Sequence, residues 1–239
     1  HVPPLPGSPE GETESLPRLL DRVRRDAAAL AAGGADAVVV ENYGDAPYHP
    51  SDVPKHTVAF MTRLTAAARE ASGLATGVNV LRNDGEAALS VAAAAGGRFV
   101  RVNVHSGARV TDQGVVQGRA HAIHRLRRTV APGVRVLADV RVKHSAPLGA
   151  ERPLAREIED LVTRGRADGV IVTGDATGRP PELDRLREAV GAASGVPVLA
   201  GSGVSEEMAA RALEAADGVI VGRELKEGGR TEGPVSEEQ

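Results

Sequence analysis

The feature that most constrains this chain is a regular alternation of short apolar runs with longer amphipathic stretches, punctuated by glycine. Residues 16–32 place Leu16, Leu19, Leu20, Val23, Ala27 and Leu30 at helical spacing, and Gly33-Gly34 supplies a C-terminal stop. Ala-Val-Val-Val-Glu over 37–41 is a continuous apolar run, the pattern of a parallel strand covered on both faces. The cycle then repeats. Helices are predicted over 57–71, 84–95, 119–130, 154–164, 181–193 and 206–215, and strands over 76–81, 100–105, 134–142, 169–173, 196–200 and 218–221. Residues 105–118 read as a long loop. With a strand stub at His1-Val2, eight strands alternate with seven helices, which implies parallel βαβ units and one (β/α)8 TIM-barrel domain over 1–239. An open doubly wound sheet is the structural alternative, because alternation alone fits it as well.

Within that frame the stretch Val-Arg-Val-Asn-Val-His from Val100 to His105 is informative. At period two, Val100, Val102 and Val104 form one face and Arg101, Asn103 and His105 the other. In a barrel the valine face meets the surrounding helices, so the polar face points toward the axis. The run 134–142 repeats this, with Val136, Ala138, Val140 and Val142 outward, Asp139 and Arg141 inward and Lys143 at the mouth. Asn79 lies in the third strand, and Glu41 ends the second. Buried charges persist when they are paired or used, so two readings stand side by side. In one, Arg101 and Arg141 neutralise Glu41 and Asp139 in a self-satisfied network. In the other, Glu41, Asn79, Asn103, His105, Asp139 and Lys143 surround a substrate at the C-terminal ends of the strands, where barrel enzymes keep their chemistry. The placement of these residues at strand ends rather than mid-strand favours the second.

A separate signal lies further along. Gly201-Ser202-Gly203 follows the seventh strand and leads into a helix, and Gly222-Arg223 follows the eighth. Backbone N–H groups freed by glycine, with a helix start behind them, form the usual phosphate cradle of such barrels, and two ordinary tight turns are the plainer account. Glu206 and Glu207 suit the helix dipole but disfavour an anion, which Arg223 would offset. Thr173-Gly174-Asp175-Ala176-Thr177-Gly178 reads as a ligand-contacting loop. His121 and His124, three apart on a helix, have a spacing open to metal but are explained by a solvated helix face. No dinucleotide fingerprint, Walker A loop or His-Glu-x-x-His is present, and Gly201-Ser202-Gly203 lacks the nucleophile-elbow spacing.

Composition excludes several classes. The absence of cysteine removes disulfides, thiolate metal sites and a cysteine nucleophile. A formal charge of -3 offers no polybasic field for nucleic acid or an anionic membrane, and no apolar run reaches the length of a membrane span. A cytoplasmic location is the expectation. Aromatic residues are only 2%, so the core must be built from Ala, Val and Leu. Pro3, Pro4, Pro6 and Pro9 make the start a rigid loop leaving a strand that lies mostly before His1. Pro234-Val235-Ser236-Glu237-Glu238 reads as a cap whose helix would follow, so both ends are expected to be cut from a longer protein, in strand one and helix eight.

Several long motifs carry a resemblance. His1-Val2-Pro3-Pro4-Leu5-Pro6-Gly7-Ser8-Pro9, Val40-Glu41-Asn42-Tyr43-Gly44-Asp45-Ala46-Pro47, Gly77-Val78-Asn79-Val80-Leu81-Arg82-Asn83-Asp84, Arg101-Val102-Asn103-Val104-His105, Thr111-Asp112-Gln113-Gly114 and Ala138-Asp139-Val140-Arg141-Val142-Lys143-His144 resemble the BtpA/SgcQ family over essentially the whole chain. The resemblance implies a phosphate-binding TIM barrel, and the family's named role is support of photosystem I biogenesis by a peripheral membrane protein. Two functions are therefore carried forward. In the first, an enzyme acts on a sugar or nucleoside phosphate by acid/base chemistry. Its phosphate sits on Gly201, Ser202, Gly203, Gly222 and Arg223. Glu41 or Asp139 is base, Lys143 or His105 acid or electrophile, and Asn79, Asn103, Arg101 and Thr173 contact substrate. A divalent ion such as Mg could be held by Glu41 and Asp139, and Lys143 could form a Schiff base. In the second, the chain is a non-catalytic binding or assembly factor. A homo-oligomer is compatible with either.

Overall fold

The computed structural model describes residues 1–174 and 181–236, so Asp175 to Gly178 of the expected ligand loop and Glu237-Glu238 lie outside the described residues. In chain order the first elements are α1 (Leu16–Ala32), β1 (Ala37–Glu41), α2 (Lys55–Ser72), β2 (Ala75–Asn79), α3 (Gly85–Ala95) and β3 (Phe99–Val102). Then come β4 (Ala108–Thr111), β5 (Gly114–Gln117), α4 (Ala120–Val130), β6 (Arg135–Val140) and β7 (Ser145–Pro147). The last are α5 (Leu154–Thr163), β8 (Gly169–Thr173), α6 (Leu183–Ala192), β9 (Val198–Gly201), α7 (Glu206–Leu213) and β10 (Gly218–Ile220). Two compact units result. One comprises His1–Arg101, Ala122–Val134 and the segment from Leu225, the other Val102–His121 and Arg135–Glu224.

In the first unit β1, β2 and β3 run parallel in that order. Gly77 of β2 pairs with Phe99 of β3, and a side chain at Gly77 would lie 2.1 Å from the Phe99 ring, so glycine leaves the space that the ring fills. Helix α1 buries Leu19, Leu20, Val23 and Ala27, one stripe at helical spacing, and α2 buries Met61, Leu64 and Ala68. Alanine-rich α3 buries most of its length, including Ala87, Ala88, Leu89, Val91 and Ala92, which explains why it carries so few polar residues. Its first turn is capped by Asp84, whose carboxylate accepts from Ala87 N at 2.9 Å and from Val53 N at 2.9 Å.

Asp26 of α1 holds down the segment from Leu225. Its carboxylate accepts from Lys226 Nζ at 3.0 Å, Val235 N at 3.0 Å and Arg22 Nε at 3.0 Å. Burial pushes the Asp26 carboxyl up, but the Lys226 charge, the Val235 N–H and the Arg22 guanidinium outweigh it and hold the group below the usual carboxylate range.

In the second unit β6, β8, β9 and β10 run parallel in that order. Ala138, Val140, Val170, Val172, Val198 and Ala200 pack on Leu154, Ile158 and Leu161 of α5, Leu186 and Ala189 of α6 and Ala212 of α7. Alternate strand residues thus face the helices, which leaves Asp139, Ile171 and Thr173 on the other face. The sequence Ala-Asp-Gly-Val-Ile-Val opens both β8 and β10. In each copy the aspartate reaches sideways, Asp168 Oδ2 accepting from Val136 N at 2.8 Å and Asp217 Oδ2 from Val198 N at 2.8 Å. In each copy the following glycine lies under a neighbouring leucine, Gly169 under Leu137 and Gly218 under Leu199. The repeat is a clamp on strand register.

Three expectations need correction. The loop expected over 105–118 contains the hairpin β4–β5, and β7 joins it in an antiparallel sheet of order β5-β4-β7. These strands are too short to show a period, but Thr111-Asp112-Gln113-Gly114 marks their turn, with Gly114 at φ 89. The strand expected over 134–142 stops at Val140, because Arg141 takes φ 51. Arg141 consequently leaves the inner face and pairs with Glu157 Oε1 at 3.0 Å and Glu151 Oε1 at 3.0 Å. The strand expected over 100–105 ends at Val102, and Asn103 and Val104 continue it as bends. No helix among the described residues is long and apolar enough to cross a membrane.

The register clamp predicts that Asp217→Ala, which leaves the buried Val198 N–H without its acceptor, lowers unfolding free energy by about 1–3 kcal/mol in urea titrations. Because the Asp26 pKa is depressed on folding, its contribution is complete above the unfolded value near 4 and is lost as pH falls through the folded one. The urea midpoint should therefore drop between pH 5 and 3 by more in the wild-type chain than in Asp26→Asn.

Candidate active site

The register of the first unit aligns three polar residues at strand ends. Glu41 of β1 pairs with Asn79 of β2, and Asn79 pairs with Arg101 of β3. Arg101 Nη1 lies 3.8 Å from Glu41 Oε2, and Asn79 Nδ2 donates to Arg101 O at 3.0 Å. All three side chains are largely or fully buried. Of the self-neutralising network, the contact between Arg101 and Glu41 is therefore formed, whereas Arg141 pairs instead with Glu151 and with Glu157 of α5. A shell that the sequence reading missed supports this row. Asn42 Oδ1 accepts from Leu81 N at 2.7 Å, Asn42 Nδ2 donates to Asp45 Oδ2 at 3.1 Å, and Asp45 Oδ1 accepts from Leu5 N at 2.8 Å. The proline-rich start is thereby tied to the end of β1, where Val2 N also donates to Glu41 O at 2.8 Å. Beside it, burial and then the Glu41 charge push the Tyr48 phenol well above its ordinary range, and its O–H donates to Tyr43 O at 2.7 Å. The signal for these groups was present, since Asn and Asp three apart after a strand are common side-chain bonders of loop backbone.

In the second unit Asp139 is buried near the end of β6, and Asn103 Nδ2 donates to its Oδ2 at 2.9 Å. His105 is 1% exposed and its Nε2 lies 2.8 Å from Gly165 O, at the end of the turn that closes α5. That contact makes Nε2 the protonated nitrogen and gives the ring a role in fixing the loop. Lys143 is half-buried between β6 and β7. Thr173 ends β8 with no exposed surface, and its Oγ1 has no hydrogen-bond partner among the described residues.

Thr173 pairs with Gly201, and Gly201 pairs with Ile220, so the loops after β9 and β10 leave neighbouring strands side by side. At Gly201 an added Cβ would lie 2.5 Å from Ile171 Cγ2, so only glycine fits there. Ser202 and Gly203 follow at φ 68 and 69, two consecutive residues in the left-handed region, and for serine this conformation is strained. Ser205 then caps α7, its Oγ accepting from Met208 N at 3.4 Å. The backbone N–H groups of Ser202, Gly203, Val204 and Gly222 make no backbone–backbone hydrogen bond outside the sheet ladders among the described residues. Arg223 is exposed and forms no ion pair among them. Chemically, the second unit offers a fixed carboxylate on one strand and a glycine-containing turn two strands away. No group of three or more His, Cys, Asp or Glu gathers to hold a metal among the described residues, His121 and His124 included.

The buried Asn103–Asp139 bond predicts that Asn103→Leu costs about 2 kcal/mol of stability. The double variant Asn103→Leu/Asp139→Leu should cost about 1–2 kcal/mol less than the sum of the two single changes in chemical denaturation.

Comparison with known proteins agrees with this architecture. Phosphoribosyl anthranilate isomerase from Thermus thermophilus superposes with a TM-score of 0.56 over 90% of this chain and 88% of that one, at 14% identity. Orotidine 5'-phosphate decarboxylase from Pyrococcus horikoshii gives 0.54 over 88% and 86%, at 19% identity. At such identities the likeness concerns the fold, which is that of the TIM barrel. Photosystem I biogenesis protein BtpA of Synechocystis is 43% identical over 229 residues, 96% of this chain and 79% of that protein. An uncharacterized protein of Thermococcus kodakarensis is 44% identical over 241 residues, 100% of this chain and 89% of that protein. A family model matches residues 1–239 from end to end, and with these relatives it shows that the chain belongs to the BtpA family.

Proposed function

We propose that this chain is an enzyme that binds a small phosphorylated metabolite, a sugar or nucleoside phosphate, and acts on it by acid/base chemistry. The observation that carries the reading is the set of backbone N–H groups at Ser202, Gly203, Val204 and Gly222 that make no backbone–backbone hydrogen bond outside the sheet ladders among the described residues. Donors of this kind cost free energy when left unmet in a partly buried loop, and a phosphate dianion satisfies several at once. Arg223, without an ion pair among the described residues, supplies the countercharge. Asp139 is the base on the same unit, oriented by Asn103, and Lys143 is the acid or electrophile. In the first unit the Glu41–Arg101 pair beside Asn79 is a separate polar cluster. The two solved barrels named above act, by their titles, on phosphoribosyl and 5'-phosphate compounds, and that agrees with this reading without establishing it.

A second reading makes the chain a non-catalytic binding or assembly factor, in keeping with the Synechocystis relative's name as a photosystem I biogenesis protein. It is favoured by the outer face of the small sheet, where Val110 and Val115 pair across β4 and β5 and are exposed, with Leu148 exposed just beyond β7.

Thermal-shift titration separates the two. Inorganic phosphate or ribose 5-phosphate at millimolar concentration should raise the unfolding midpoint, and Arg223→Ala should weaken that binding about tenfold. Asp139→Asn should leave binding within about twofold and abolish turnover of any phosphorylated substrate that the wild type converts. Silence with all phosphates, together with an inert Arg223→Ala, would sink the enzymatic reading.

A further inference from the structure

Building on the phosphate reading above, we infer that Thr173 is a specificity-determining residue whose hydroxyl reads a ligand hydroxyl, and that the ligand is of pentose-phosphate size. Thr173 has no exposed surface, and its Oγ1 lacks a partner among the described residues. A buried hydroxyl left unmet costs free energy, and valine, of the same shape, would pack there without that cost. No described residue supplies the polar atom that this hydroxyl calls for, and a ligand can.

The register says where that atom would sit. Thr173 is level with Gly201, at the foot of the Ser202–Gly203 turn, on the same face as Ile171. Asp139 is level with Ile171, two residues deeper along the strands. A ligand with its phosphate on the loops and its reacting atom at Asp139 passes Thr173 on the way. The phosphate already meets N–H groups and Arg223, so the threonine faces the portion of the ligand next to it. Hydroxyl to hydroxyl is the pairing that uses both its donor and its acceptor capacity.

Size follows from the same geometry. From Ser202 to Asp139 the path is three residues along the strand direction and two strands across. At about 3.3 Å per residue and about 4.8 Å per strand this is roughly 14 Å between backbones. The Asp139 side chain and the N–H to phosphate contact take up roughly 5–6 Å of it, leaving about 8 Å for the ligand. A five-carbon phosphate spans that gap, and a three-carbon phosphate falls short.

The test measures affinities of the intact chain for inorganic phosphate, ribose 5-phosphate and n-pentyl phosphate by calorimetry, in wild type, Thr173→Val and Thr173→Ser. Wild type should prefer ribose 5-phosphate to n-pentyl phosphate at least tenfold. Thr173→Val should erase that preference, leave inorganic phosphate unchanged and raise the unfolding midpoint of the free protein, whereas Thr173→Ser should keep the preference. Equal loss of inorganic phosphate in Thr173→Val would place the hydroxyl on the phosphate and overturn the inference, as would an unchanged ribose 5-phosphate affinity. In both of those cases the phosphate reading survives. If wild type binds none of the three compounds, the phosphate reading and this inference fall together.

Discussion

Everything in this molecule depends on one packing constraint, that every second residue of a parallel strand must be apolar because helices cover that face. In the second unit Ala138, Val140, Val170, Val172, Val198 and Ala200 meet α5, α6 and α7 with essentially no exposed surface. Each such residue is worth roughly 1–3 kcal/mol of burial, so their register is not negotiable. The intervening residues are released from that demand. Where the strand ends, they can be carboxylate, amide or hydroxyl, and there Asp139 and Thr173 are found.

The same constraint explains how much could be read from sequence. The helix and strand succession and the outward valines are consequences of periodicity, which is visible in a single chain, whereas the barrel class rested on the number of βα units, since alternation alone fits an open sheet as well. Glu41, Asn79 and Arg101 fall in one row across β1, β2 and β3 because the three strands end within one residue of the same level, a relation that strand ends in the sequence already suggest. What failed was local conformation. One residue at positive φ, Arg141, carries its guanidinium from the inner face to Glu157, and nothing in a Val-Arg-Val pattern announces that. The hairpin β4–β5 escaped because four-residue strands give too few repeats to set a period against a loop. The strand expected to run to His105 stops at Val102, and the His105 ring is held on Gly165 O instead of by a ladder.

The candidate site divides by the kind of evidence that holds each part. The Glu41–Arg101 pair and the Asn103–Asp139 bond satisfy themselves within the protein, and their polarity alone does not separate a structural from a chemical role. The groups around Gly201 differ. Among the described residues their N–H donors make no backbone–backbone hydrogen bond outside the sheet ladders, the Thr173 hydroxyl has no partner, and the backbone there is held in a conformation that serine disfavours. A fold retains unmet donors and strain where something other than its own stability is gained.

The aspartate clamps that open β8 and β10 act at the ends of those strands remote from Thr173 and Gly222. Strand alignment is thus decided at one end of the sheet, and the candidate site lies at the other. Such a division lets the loops at the site end vary in length and sequence while the scaffold stays in phase. A chain built this way can change those loops without first having to solve its fold again.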